Sequence, residues 1–281
     1  QKMYFCQMFL RIMKKGILAL GLLMVTISCS EYQSLLKNEE TAPKYTAAEE
    51  LYTEGKEEDD NGKLRKALRL LEQIEPEYRG KPQGERLVYI LGDTYYQLGD
   101  YYNAPFNFER FVQLYPNSQK VEEAEYKTAV SYYNRSPRFN LDQTDTRKAI
   151  EELQIYLNKY PEGEFVDSAN DYATELRVKL EKKAYEIAKQ YHKTRYYKAA
   201  IASFNNFIAD YPGSPFREAA YYYRYDSAYQ LAINSFEVLM QERLENAREF
   251  YNSYNKYYPE GEFTQDSEAS MMEIDKRLEN F

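Results

Sequence analysis

From about residue 45 to the end of the chain, apolar residues recur at intervals of three and four, the spacing that lines one face of an α-helix. Short polar turns holding Gly, Pro, Asn or Asp separate the runs, and these residues halt a helix or permit the backbone of a tight turn. The pattern predicts helices near 45–58, 64–75, 85–98, 101–115, 119–134, 145–160, 165–193, 196–211, 215–235 and 238–258, with a last one at about 264–280. The expected fold is therefore all-α. The 165–193 helix is long enough to join two halves.

The turns themselves repeat. Tyr-Pro occurs in Tyr115-Pro116-Asn117-Ser118, Tyr160-Pro161-Glu162-Gly163, Tyr211-Pro212-Gly213-Ser214 and Tyr258-Pro259-Glu260-Gly261, so the prolines lie 45, 51 and 47 residues apart. Pro cannot continue a helix, Gly or Asn permits the turn, and Ser caps the next helix; Ser214-Pro215 reads as an N-cap and a first helical residue. The segment from Glu85 to Ser118 fits the tetratricopeptide pattern of about 34 residues, with Leu91-Gly92 and Tyr95 on the first helix, Ala104 and Phe108 on the second, and Pro116 closing the unit. Ile187, Ala188, Tyr191, Ala200, Phe204 and Pro212 repeat it at the same spacing. Three partial units centre on Gly55, Ala67 and Leu71; on Ala129, Tyr132, Ala149 and Leu153, with extra residues near Pro137 to Thr144; and on Ala228, Leu231, Ala247 and Tyr251. About five tandem helix-turn-helix repeats result, expected to stack as a right-handed superhelix closed by a C-terminal capping helix. The expected division is an N-terminal half at 45–163 and a C-terminal half at 164–281.

Composition narrows the function. The 31 Tyr and 14 Phe, with no Trp, suit many half-buried helix faces. The formal charge is -8, and residues 1–28 carry four cations and no acid, so the remainder stands at -12. Such an acidic body speaks against a nucleic-acid partner. Both cysteines, Cys6 and Cys29, fall in the first tenth of the sequence, where they point to processing rather than to a disulfide framework. Met13-Lys14-Lys15 followed by the apolar run Gly16 to Val25 is a secretory signal pattern, too short for a membrane span. Thr26-Ile27-Ser28-Cys29 resembles a lipobox, so residues 1–28 are expected to be upstream residues and signal peptide, Cys29 the lipidated residue, and 29–44 a tether. Ser30 resembles an outer-membrane sorting signal.

Catalytic chemistry finds little purchase. His192 is the only histidine and is expected at the surface or in a turn. The stretch from Glu57 to Gly62 lacks the alternating oxygen ligands of a calcium loop and reads as an interhelical turn. No metal-ligand spacing or phosphate loop appears, so no cofactor and no enzymatic activity are expected. Binding offers more. The fifth position of the first helix of each unit, which faces the groove in such repeats, is Tyr52, Tyr89, Tyr126, Tyr185 and Tyr225. Tyr96 and Tyr133 lie two turns beyond Tyr89 and Tyr126. Tyr52, Tyr89, Tyr96, Tyr126 and Tyr133 are thus candidates for holding an extended peptide, against the plainer reading that they only pack.

A lipobox followed by five such repeats, with recurring Tyr-Pro turns and Leu91-Gly92-x-x-Tyr95-Tyr96, resembles the BamD family, lipoproteins of the outer-membrane β-barrel assembly machine. Cys29-Ser30-Glu31-Tyr32 through Leu35-Leu36-Lys37 looks like the mature N-terminus of members from the Bacteroidota. The resemblance implies a scaffold anchored by lipid to the periplasmic face of the outer membrane. It implies two kinds of partner: the POTRA domains of BamA with other machine subunits, and unfolded outer-membrane protein segments. The competing reading is a periplasmic repeat adaptor coordinating other envelope or cell-division proteins.

Overall fold

The computed structural model describes residues 31–281; Cys6, the signal segment and Cys29 lie outside the described residues. Among the described residues every regular element is helical, and the chain divides into two compact units, 1–131 and 132–281. In unit 1, α1 (Thr41–Glu57) pairs with α2 (Asn61–Ile74) and α3 (Gly84–Gln97) with α4 (Asn103–Leu114), while α2 packs on α3. One apolar core runs through them, including Leu64, Leu71, Ile74, Leu87, Phe108 and Phe111. The helix α5 (Val121–Arg135) contains the division between the units. In unit 2, α6 (Thr144–Lys159), α7 (Val166–Lys193), α8 (Tyr197–Asp210), α9 (Arg217–Ile233), α10 (Glu237–Tyr257) and α11 (Thr264–Leu278) each pack on the next. The last helix also touches α9 and closes the array with a buried Ile274. This is the neighbour-on-neighbour packing of tandem tetratricopeptide-like repeats.

Local chemistry explains why the helices pair. Within α1–α2, α3–α4 and α7–α8 the first helix ends on a left-handed residue, Asp59 (φ 54°), Gly99 (φ 74°) or Arg195 (φ 64°). The next amide then reaches back five residues, from Asp60 to Gly55 O at 2.8 Å, Asp100 to Tyr95 O at 2.9 Å and Tyr196 to Tyr191 O at 2.9 Å. That bond satisfies a carbonyl the helix end would leave bare, and it reverses the chain in about three residues. Small residues let the paired helices approach: Ala104, Ala188 and Ala200 are wholly buried, and a Cβ on Gly92 would sit 3.0 Å from the Phe108 ring. The Tyr-Pro turns are equally regular, since Ser118, Gly163, Ser214 and Gly261 each donate an amide to the preceding Tyr carbonyl at 3.0–3.2 Å. Tyr156 and Tyr254 reinforce two of them, their hydroxyls accepting from the Phe165 and Phe263 amides at 3.2 Å.

Four expectations change. The 165–193 helix does not join the units; it lies inside unit 2, packed on both α6 and α8, so a boundary between 163 and 164 would cut through a packed pair. The division falls instead at 131/132. The tether at 29–44 is partly ordered: residues 31–37 are helical, and Tyr32, Leu35 and Leu36, spaced at three and four, pack against the unit 1 core. Ser214 does not cap α9 directly, because the helix starts at Arg217; its hydroxyl accepts from the Phe216 amide at 3.2 Å within the turn before it.

Candidate functional site

Three helices of unit 1 each present a pair of polar side chains four residues apart, hence one above the other on a single face. These are Tyr52 and Lys56 on α1, Tyr89 and Asp93 on α3, and Glu123 and Lys127 on α5. The pairs meet at Asp93, whose side chain is fully buried. Tyr52 donates its hydroxyl to Asp93 Oδ2 at 2.5 Å, Lys56 Nζ stands 3.0 Å from the same oxygen, and Lys127 Nζ approaches Oδ1 to 2.6 Å. Lys127 also pairs with Glu123 at 2.6 Å and donates to the Tyr89 hydroxyl at 3.3 Å.

Burial alone would push the Asp93 carboxyl upward, but Lys127, Tyr52 and Lys56 outweigh it and hold it below the usual carboxylate range. Glu123, also opposed by burial, is held at about 2 by Lys120, Lys127 and Tyr89. Tyr52 and Tyr89 shift the other way, upward, through burial and the neighbouring carboxylates. At neutral pH Asp93 and Glu123 are therefore carboxylates, and Tyr52 and Tyr89 are neutral phenols.

Beside this cluster opens a cavity of about 390 Å³, walled by Tyr52, Lys56, Arg86, Tyr89, Phe111 and Lys120 among others. Tyr52 and Tyr89 are themselves only 7% and 8% exposed, so little of either side chain faces the opening. Tyr89 is fixed against Phe108 and Phe111, with ring centres 6.1 and 5.4 Å away, and Lys120 and Lys127 stand over its ring at 5.5 and 5.6 Å. Aromatic walls with cations on the rim can hold an apolar side chain and, next to it, a backbone carbonyl or carboxylate.

Of the five tyrosines singled out from the sequence, the structure brings Tyr52 and Tyr89 together at this cavity. Tyr96 lies nearby in unit 1, half-buried between Tyr101 and Phe108 with Lys127 over its ring at 5.6 Å. Tyr126 is half-buried on α5 and does not line the cavity. Tyr133 belongs to unit 2, where its hydroxyl meets Glu175 at 2.6 Å and its ring lies 4.2 Å from Tyr172. The corresponding Tyr185 and Tyr225 are core residues of unit 2, the latter bonded to Ser270 at 2.7 Å. His192 is not a simple surface residue. It is half-buried in unit 2, with Nδ1 3.0 Å from the Ser227 hydroxyl and Nε2 3.3 Å from Asp226, and burial lowers its pKa. The stretch from Glu57 to Gly62 is the expected turn, with Asp60 capping α2 through the Gly62 and Lys63 amides. Sequence reasoning missed Asp93, Lys56, Glu123 and Lys127. A signal existed for Asp93, an acid inside the otherwise uncharged run Leu87 to Thr94.

Helix pairs stacked in tandem define a scaffold of tetratricopeptide-like repeats. The chain matches the family described as YfiO, outer membrane lipoprotein, over residues 44–231 and again over 181–280, and it belongs to that family of the outer membrane. It is similar to the outer membrane protein assembly factor BamD of Caulobacter vibrioides, 27% identical over 131 residues, covering 47% of this chain and 41% of the relative. Xylella fastidiosa BamD is 22% identical over 151 residues, 50% of this chain and 52% of the relative. A putative BamD of Aquifex aeolicus is 30% identical over 185 residues, covering 66% and 58% respectively. The chain thus spans about half the length of the curated relatives it matches.

Proposed function

We propose that this chain is a non-enzymatic scaffold, lipid-anchored through Cys29 at the periplasmic face of the outer membrane, that serves β-barrel assembly. Unit 1 holds an extended segment of an unfolded barrel protein, and unit 2 docks a folded partner of the BamA POTRA kind. The observation that carries the reading is the unit 1 cavity, where buried tyrosines and rim cations come together beside the Asp93 charge cluster. Family membership and the similarity to assembly factors named BamD support the setting.

Truncating Tyr52 or Tyr89 would disturb the core as well as the cavity, so the cleaner test reverses rim charges. Arg86→Glu with Lys120→Glu should cut capture of a C-terminal barrel peptide at least tenfold while leaving BamA co-purification and the circular dichroism spectrum unchanged. Peptide capture at wild-type level by the folded double variant would refute the cavity as the peptide site. Failure of the wild type to retain BamA from solubilised membranes would favour the adaptor reading.

A further inference from the structure

Three cations line the unit 1 cavity among the described residues, Lys56, Arg86 and Lys120, and each already faces an acid of its own fold. Lys56 stands on Asp93, which is fully buried and shared with Lys127 and Tyr52. Lys120 pairs at 2.8 Å with Glu123, which Lys127 holds at the same time and whose carboxyl is kept at about 2. Both acids are tied by several partners at once, so neither is free to move aside.

Arg86 differs. Its Nε binds Glu49, an acid that reaches across from α1, and the arginine side chain is 61% exposed against 26% for the acid. Glu49 pairs with no other cation among the described residues. Its further neighbour is Tyr45, one turn earlier on the same face of α1, whose hydroxyl burial and Glu49 push up to about 12. Glu49 in turn holds the Arg86 pKa above the ordinary guanidinium value. An ion pair with so exposed a member contributes little, because water solvates the separated groups nearly as well. One carboxylate can therefore replace another on Arg86 at small cost, and the guanidinium fork seats a carboxylate through two parallel N–H bonds. Elsewhere on the wall, Glu85 and Glu123 repel an anion that is not seated directly on a cation.

We propose that Arg86 is the residue of this cavity that reads a ligand's carboxylate, and that Glu49 is its resident competitor, setting how far the cavity prefers an acidic ligand over a neutral one. The inference rests on the peptide reading of unit 1 and names the group within that site that selects. A carboxylate brought to Arg86 either takes the place of Glu49 or lies beside it as a like charge, so Glu49 lowers its affinity in both cases. The ligand class is a peptide with an apolar side chain next to a carboxylate, supplied by a chain end or by an acidic residue.

The test uses the full chain and three blocked tripeptides: acetyl-Gly-Gly-Leu acid carries a terminal carboxylate, acetyl-Gly-Glu-Leu amide a side-chain one and acetyl-Gly-Gly-Leu amide none. Binding is followed through the Arg86 15Nε signal and the backbone amides of the cavity wall. The wild type should bind one acidic peptide about threefold tighter than the neutral amide, or more, and the tighter of the two acids names the source. Glu49→Gln should widen that margin by about a further threefold, Arg86→Gln should erase it, and Lys120→Gln should weaken all three peptides alike and keep it. A folded Glu49→Gln with the wild-type margin overturns the inference, as does a folded Arg86→Gln that retains it, which is the check if the first variant fails to fold. Equal binding of all three peptides by the wild type also overturns it while leaving the cavity a peptide site, whereas binding of none refutes the peptide reading as well.

Discussion

Asp93 shows how much a single side chain can organise. A fully buried carboxylate held by two lysines and a phenol is costly to desolvate, and removing it leaves Lys127, 12% exposed, with Glu123 as its one carboxylate partner. Asp93→Ala should therefore destabilise the protein by about 3 kcal/mol, the low end for breaking a buried pair because Lys56 can turn to water. A shift in the urea midpoint of a small surface effect would contradict this. The acid limb follows from the same groups. Asp93 and Glu123 both have folded pKa values below their unfolded ones, so their contribution is present above the unfolded values and is lost as pH falls through the folded ones. For Glu123 the window runs from about 4.5 down to about 2. Glu123→Gln should flatten the loss of thermal stability across that window, and an unchanged slope would show that the pair contributes nothing. At this scale the sequence was half legible. Tyr52 and Tyr89 follow from repeat position, but the positions of Lys56, Glu123 and Lys127 relative to Asp93 depend on how three separate helices stack. Nothing local to any one of them announces the meeting.

Helices are where the sequence speaks most clearly. Each expected helix is present with its ends displaced by no more than four residues, because periodic apolar faces and Tyr-Pro turns are local signals. The short helical segment at 31–37 and the 3-10 turn at Glu75–Tyr78 were not legible. Both are too brief to be stable alone and owe their form to the core they pack against. The repeat register makes a firm prediction at the crossings. Ala200, wholly buried between α7 and α8, has no room for a larger side chain, so Ala200→Leu should cost about 1 to 3 kcal/mol and lower the melting temperature clearly. A melting curve identical to wild type would argue that the register is wrong.

For the whole molecule, repeat architecture was readable and the partition was not. Counting repeats from the N-terminus suggests a break at a long helix, whereas packing ties α7 to the helices on both sides. Membrane attachment belongs to this scale as well. Labelled palmitate should enter the wild type and not Cys29→Ser, and equal incorporation in both would end the case for Cys29 as the anchor.

The docked segment at 31–37 bears on reach. A tether running freely from 29 to 44 could extend about 50 Å at 3.3–3.6 Å per residue. With Tyr32, Leu35 and Leu36 seated on unit 1 and the Tyr32 hydroxyl donating to Lys66 O at 3.0 Å, an anchor at Cys29 has about 7 Å of chain before the first seated turn. A lipid on Cys29, as proposed above, would therefore hold unit 1 close to the bilayer instead of letting it range across the full span of a free tether. A client of the proposed kind would then have to come to the bilayer surface to meet it.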